Sequence, residues 1–147
     1  MARLKVAAVA AAAVAAVMIG PPRIAHAETN YWFVSPSGNI GCVMGDLLHG
    51  GVTCDIKQYT YPRPPDPNNC TGRTTWGNRF SLNPGQAPQM PCHGDTVFDS
   101  TRDKTLDYGQ KQSFGPITCA SEPTGMTCTD TGTGHYFRVS TESYELH

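Results

Sequence analysis

Residues able to do chemistry are few, and they do not fall at spacings that demand a reaction. His93-Gly94-Asp95 follows Cys92 directly, and His49 and His135 stand apart in the chain. A metal centre needs His, Cys, Asp or Glu converging as ligands. Cys92 is expected in a disulfide, and His and Asp flanking a Gly are ordinary turn residues, so no metal site is expected. His93 and His135, with Lys104 or Arg138, could form the two-imidazole acid and base set of a small hydrolase, which is the alternative activity to be weighed. An activated nucleophile is not expected, because no Gly-x-Ser-x-Gly elbow occurs and all six cysteines can be assigned to bridges. Asp95, Asp99, Asp103 and Asp107 recur every four residues, which on a helix would align them as a paired-carboxylate site. Four aligned carboxylates would repel one another, and Thr96 to Phe98 reads as strand. A solvated loop or hairpin neutralised by Arg102 and Lys104 is the expectation. No catalytic residue and no cofactor are therefore assigned. The remaining candidates are binding residues: Tyr59 and Tyr61 in a Pro-rich loop, Trp76 and His135. Aromatic rings there could stack on sugars or dock a protein edge. Against this, Trp76 and Phe80 could simply cover the base of a sheet while the tyrosines shield the loop.

Positioning any of these residues falls to β-strands. Strand-like runs alternate with turn signals about every ten residues, and no segment after Glu28 sustains a 3.6-residue period. Tyr31 to Val34 reads as an aromatic strand, Ser35-Pro36-Ser37-Gly38 as a type I turn, and Asn39 to Met44 as the next strand. Side chains alternate along a strand, so Ile40, Cys42 and Met44 share a face, as do Val52, Cys54 and Ile56. Placing Cys42 opposite Cys54 sets Ile40 against Ile56 and Met44 against Val52, one register that turns the bond and four apolar residues inward. Asp46 to Gly50 is then a loop. The frame recurs: Cys119 opposite Cys128 sets Ser121 against Met126 and leaves Glu122-Pro123-Thr124-Gly125 as a turn. His135 to Ser140 continues a meander, and Glu142 to Leu146 adds a short edge. Tyr59 to Asn69, with four prolines, cannot supply a ladder of N–H donors and reads as an extended polyproline-like surface loop. Among fifteen possible connectivities the favoured one is Cys42–Cys54, Cys119–Cys128 and, by elimination, Cys70–Cys92. The class is all-β, a small disulfide-stapled antiparallel sandwich or barrel.

At the front, Arg3 and Lys5 precede an uncharged Ala/Val run and the small-x-small step Ala25-His26-Ala27, the pattern of a signal peptide over residues 1–27 cut before Glu28. The run is too short and too weakly hydrophobic for a spanning helix. Residues 28–147 then form one secreted domain with 8 basic and 12 acidic residues, a net charge of −4. The basic residues are scattered from Lys57 to Arg138, which argues against nucleic acid and against an anionic membrane surface as partners. Disulfides in a chain this small belong to an oxidising compartment.

Phe33-Val34-Ser35-Pro36-Ser37-Gly38-Asn39-Ile40-Gly41-Cys42, Val52-Thr53-Cys54-Asp55-Ile56, Trp76-Gly77, Cys92-His93-Gly94-Asp95-Thr96, Leu106-Asp107-Tyr108-Gly109, Gly125-Met126-Thr127-Cys128 and Thr133-Gly134-His135 together resemble a family of exported actinobacterial, mycobacterial-type proteins whose function is not established. The resemblance spans nearly the whole of residues 28–147. It implies export, the cysteine framework and a compact β domain, and it implies no reaction. Tyr136 stands where the family usually has a Gly. The expectation is a non-enzymatic binding module of the cell envelope or extracellular space, taking a protein, peptide or glycan, with the two-histidine hydrolase as the alternative. A structural or inhibitory role through the Pro-rich loop differs only in partner.

Overall fold

The repeated cysteine frame builds one hairpin in each of two sheets. The computed structural model describes residues 28–66 and 70–147. The expected signal peptide and the end of the Pro-rich loop, Pro67 to Asn69, lie outside the described residues. Ten strands run in chain order: β1 Asn30–Val34, β2 Ile40–Gly45, β3 Val52–Ile56, β4 Arg79–Leu82, β5 Lys104–Thr105, β6 Lys111–Phe114, β7 Ile117–Glu122, β8 Gly125–Asp130, β9 Tyr136–Val139 and β10 Tyr144–Leu146. They form two five-stranded sheets, β4-β3-β2-β1-β5 and β10-β9-β8-β7-β6. The sheets face each other without closing, so the architecture is a sandwich, and the barrel is set aside. All neighbours are antiparallel except β1 and β5, which pair in parallel.

Both registers expected from the sequence are present. Cys42 faces Cys54 with Ile40 opposite Ile56 and Met44 opposite Val52, and Cys119 faces Cys128 with Ser121 opposite Met126. The bridges are Cys42–Cys54, Cys70–Cys92 and Cys119–Cys128. Because both cross-strand bridges point inward, they meet in the middle of the sandwich, with Cys54 Sγ 3.9 Å from Cys128 Sγ. Phe80 of β4 and Phe137 of β9 stack beside them with ring centroids 5.8 Å apart, and Ile56, Leu82, Ile117, Met126 and Val139 complete a fully buried centre. Each such side chain stabilises the fold by about 1.5–3 kcal/mol relative to its exposed state.

Turns follow the local chemistry. Gly38 N–H donates to Ser35 O at 2.8 Å, with Gly38 at φ 69° supplying the left-handed residue that closes the turn. The β7–β8 reversal is centred on Pro123-Thr124, and Gly125 there is obligatory: at φ 135° a Cβ would stand 2.3 Å from the Val139 carbonyl oxygen. The expected loop after β2 contains one 3₁₀ turn, Asp46–Leu48. Thr96 to Phe98, expected as strand, is not one. That stretch lies across the outer face of the first sheet, where the Asp55 carboxylate, and not a neighbouring strand, accepts the Val97 N–H at 2.9 Å.

Candidate functional site

A cleft of about 790 Å³ opens where the edge of one sheet faces the edge of the other, within the size range of ligand sites. One wall is β1 with β5, contributing Asn30, Tyr31, Trp32, Lys104 and Thr105. The opposite wall is Gln110 with Lys111 and Gln112 of β6. Tyr31 and Phe33, two apart on β1, share the face toward the second sheet; Phe33 lies buried at the floor with Leu106, and Tyr31, 39% exposed, stands at the mouth. The rim is cationic. Arg102, Lys104 and Lys111 line the cleft and no carboxylate does, although the domain as a whole carries more acidic than basic residues. Neither lysine enters an ion pair among the described residues. Arg102 is oriented on two sides, its Nε 2.6 Å from Asp99 Oδ2 and its guanidinium 4.0 Å above the Trp32 ring. Asp99 in turn accepts hydrogen bonds from the Thr101 hydroxyl and from Arg102, which hold its carboxyl down to about 2 against the usual 3.8. A cleft lined by one sign of charge concentrates oppositely charged ligands.

Apart from Arg102 and Lys104, the residues singled out in the sequence do not line this cleft. His93 is buried against the first sheet, its Nδ1 donating to the Asp95 carbonyl at 2.8 Å and its Nε2 3.1 Å from Asn78 Oδ1. His135 sits at the β8–β9 reversal of the other sheet, Nδ1 3.2 Å from the His147 carbonyl. His93 and His135 thus hydrogen-bond to different partners, one beside the first sheet and one at the second. Lys104 lines the cleft, while Arg138 pairs with Glu145 on β10. His49, the single non-Gly residue with positive φ among those described, ends the 3₁₀ turn.

Nor are the four aspartates aligned on a helix, for none spans residues 95–107. Asp95 pairs with Arg79 at 2.7 Å, Asp99 with Arg102, and Asp103 Oδ2 accepts the Asp99 N–H at 2.9 Å. Arg79 is the centre of that region: it grips Asp55 through two nitrogens, Nε to Oδ1 at 2.7 Å and Nη2 to Oδ2 at 2.9 Å. The hydrogen bond that Arg79 Nη1 donates to Asp95 Oδ1, with the Arg79 charge, holds the Asp95 carboxyl below its usual value. Asp66 lies close to Cys70 and Cys92, but both sulfurs are committed to their bridge, which leaves no thiolate to ligate a metal.

Tyr61 is buried, and its hydroxyl donates to the Gly77 carbonyl at 2.8 Å; burial pushes its ionisation up. Tyr59 stacks on it at 4.4 Å and Tyr144 meets it edge-on at 5.0 Å. Trp76 is half-buried, donating to the Pro64 carbonyl at 3.0 Å with Arg63 over its ring. These rings tie the Pro-rich loop to the sandwich at the side away from the cleft. Tyr31 and Trp32 are readable only as strand residues and Lys111 carries no assignment from the sequence, since nothing in their spacing announces a shared cavity.

Comparison with known proteins gives one match. A family model described as a family of unknown function, DUF6636, covers residues 13–146. No curated protein matches the chain, and no solved structure does.

Proposed function

Because the chain belongs to DUF6636, a family of unknown function, we propose from its own geometry that it is an exported, non-catalytic binding module whose ligand occupies the cleft between the two sheet edges. Export rests on the leader pattern and on three disulfides in a small domain. No helix among the described residues is long and apolar enough to cross a membrane. An actinobacterial envelope as its place of work rests on the resemblance of the motifs. The observation that carries the binding site is the clustering of Arg102, Lys104 and Lys111 around one cleft that no carboxylate lines, in a domain whose charge is otherwise negative. The test is retention of the oxidised protein on envelope fractions beside a Lys104→Glu, Lys111→Glu variant. Retention lost in the variant supports the reading. Equal retention of both proteins, or loss only when Tyr59 to Asp66 is replaced, moves the site to the Pro-rich loop.

A further inference from the structure

Two unfinished strand edges face each other across the cleft, and this inference deepens the binding reading just given. β5 reaches only Phe33 and Val34 of β1, so Asn30, Tyr31 and Trp32 have a strand neighbour on their β2 side alone. On the opposite wall β6 is paired only with β7. An open row of backbone donors and acceptors is a template for another extended chain. Lysines on such an edge turn away apolar strands, and the pair here, Lys104 and Lys111, stands on both walls with Arg102 close by. The same charges favour an acidic strand.

A sugar ring would need an open aromatic face. The Arg102 guanidinium covers one face of Trp32, and the Tyr31 ring leans on Phe114 with centroids 6.4 Å apart. The main-chain edges are the feature left uncommitted. We propose that the cleft binds an extended acidic peptide segment, added as a strand beside Asn30 to Trp32 in line with β5, its carboxylates reaching Lys104, Lys111 and Arg102.

Strand addition has a signature that charge attraction lacks. Successive residues of an added strand turn their N–H groups alternately toward and away from the edge, so methylating one alternate set of peptide nitrogens must abolish pairing while methylating the other set does not. The oxidised protein is titrated calorimetrically with a peptide alternating Glu with Val or Thr, its Lys-for-Glu counterpart, the two alternately N-methylated forms, and oligogalacturonate. The expected result is binding of the acidic peptide, an affinity loss of ~tenfold or more for one N-methylated form only, and no binding of the Lys peptide. Lys104→Glu with Lys111→Glu, both exposed positions, is expected to weaken the acidic peptide by a similar factor. Strand addition is overturned if both methylated forms bind like the parent, if oligogalacturonate binds as well as the peptide, if no peptide binds, or if light scattering shows a second copy of this chain filling the cleft. Peptide binding that ignores the charge reversal and leaves the amide resonances of Asn30 to Trp32 unmoved would overturn the cleft itself as the site.

Discussion

The same cysteine frame produces two sheets in different surroundings. In the second sheet, β7 and β8 alternate strictly, with Ile117, Cys119, Ser121, Met126, Cys128 and Asp130 buried and the residues between them partly open. In the first, every residue of β2 and β3 is buried. The segment after Cys92 makes the difference by lying across the outer face: Phe98 fits where Gly41 has no side chain, a Cβ there standing 2.4 Å from the ring, and Asp55 holds both Arg79 and the Val97 amide. Matching frames thus specify pairing, while a distant loop decides whether a sheet has one packed face or two.

The most damaging change should strike the doubly covered sheet. Asp55→Ala leaves the buried Arg79 with Asp95 as its remaining carboxylate, and is expected to cost about 3 kcal/mol in denaturant unfolding. Its counterpart on the outer face of the second sheet, Thr127→Ala, should stay within about 0.5 kcal/mol. Equal losses would erase the contrast.

Removing either inward bridge, as Cys42→Ser with Cys54→Ser or Cys119→Ser with Cys128→Ser, should cost about 2.5–3 kcal/mol on the chain-entropy account, since the loops closed are of similar length, 12 and 9 residues apart. Because the two bridges touch at 3.9 Å, the fourfold variant is expected to depart from additivity by at least about 0.5 kcal/mol. Strict additivity would mean the contact is without energetic consequence.

Gly41→Ala is smaller in effect. Phe98 must swing off the sheet, costing about 1 kcal/mol and speeding hydrogen exchange of the Val97 amide. Acid should act on the same overlying segment last. Asp99 is held down to about 2 from the usual 3.8, so the stability it contributes is complete above about pH 4 and is lost as pH falls through about 2. An Asp99→Asn variant should lose that part of the acid dependence, read as a flatter unfolding curve between those limits.

Much of this architecture was legible. Cysteine spacing and strand alternation set the registers of β2 with β3 and β7 with β8, and the meander expected over His135 to Ser140 is β9. Local pattern failed where long-range contact decides. β5 is two residues long and has no periodicity to read, and β4 acquires its place from pairing with β3 far back in the chain. Val97 and Phe98 carry strand propensity, yet the Asp55 carboxylate and the Gly41 hollow claim them. The cleft was invisible for the same reason: its walls come from residues 30–33 and 101–112, joined only by the folding of one sheet edge toward another. The aromatic loop residues were conspicuous in the sequence because they are large, and size is what commits Tyr61 to the interior.

All three bridges are local: two sulfur links lie on the amino side of residue 93 and one on the carboxyl side of residue 118. The connecting stretch between them is therefore the sole covalent tether from one half-sandwich to the other. A single protease cut there would yield two internally cross-linked fragments held together by noncovalent contacts alone, their shared apolar interface and hydrogen bonds such as Thr60 N–H to the Thr141 carbonyl and Gly85 N–H to Asp130, and they would part in denaturant without any reducing agent.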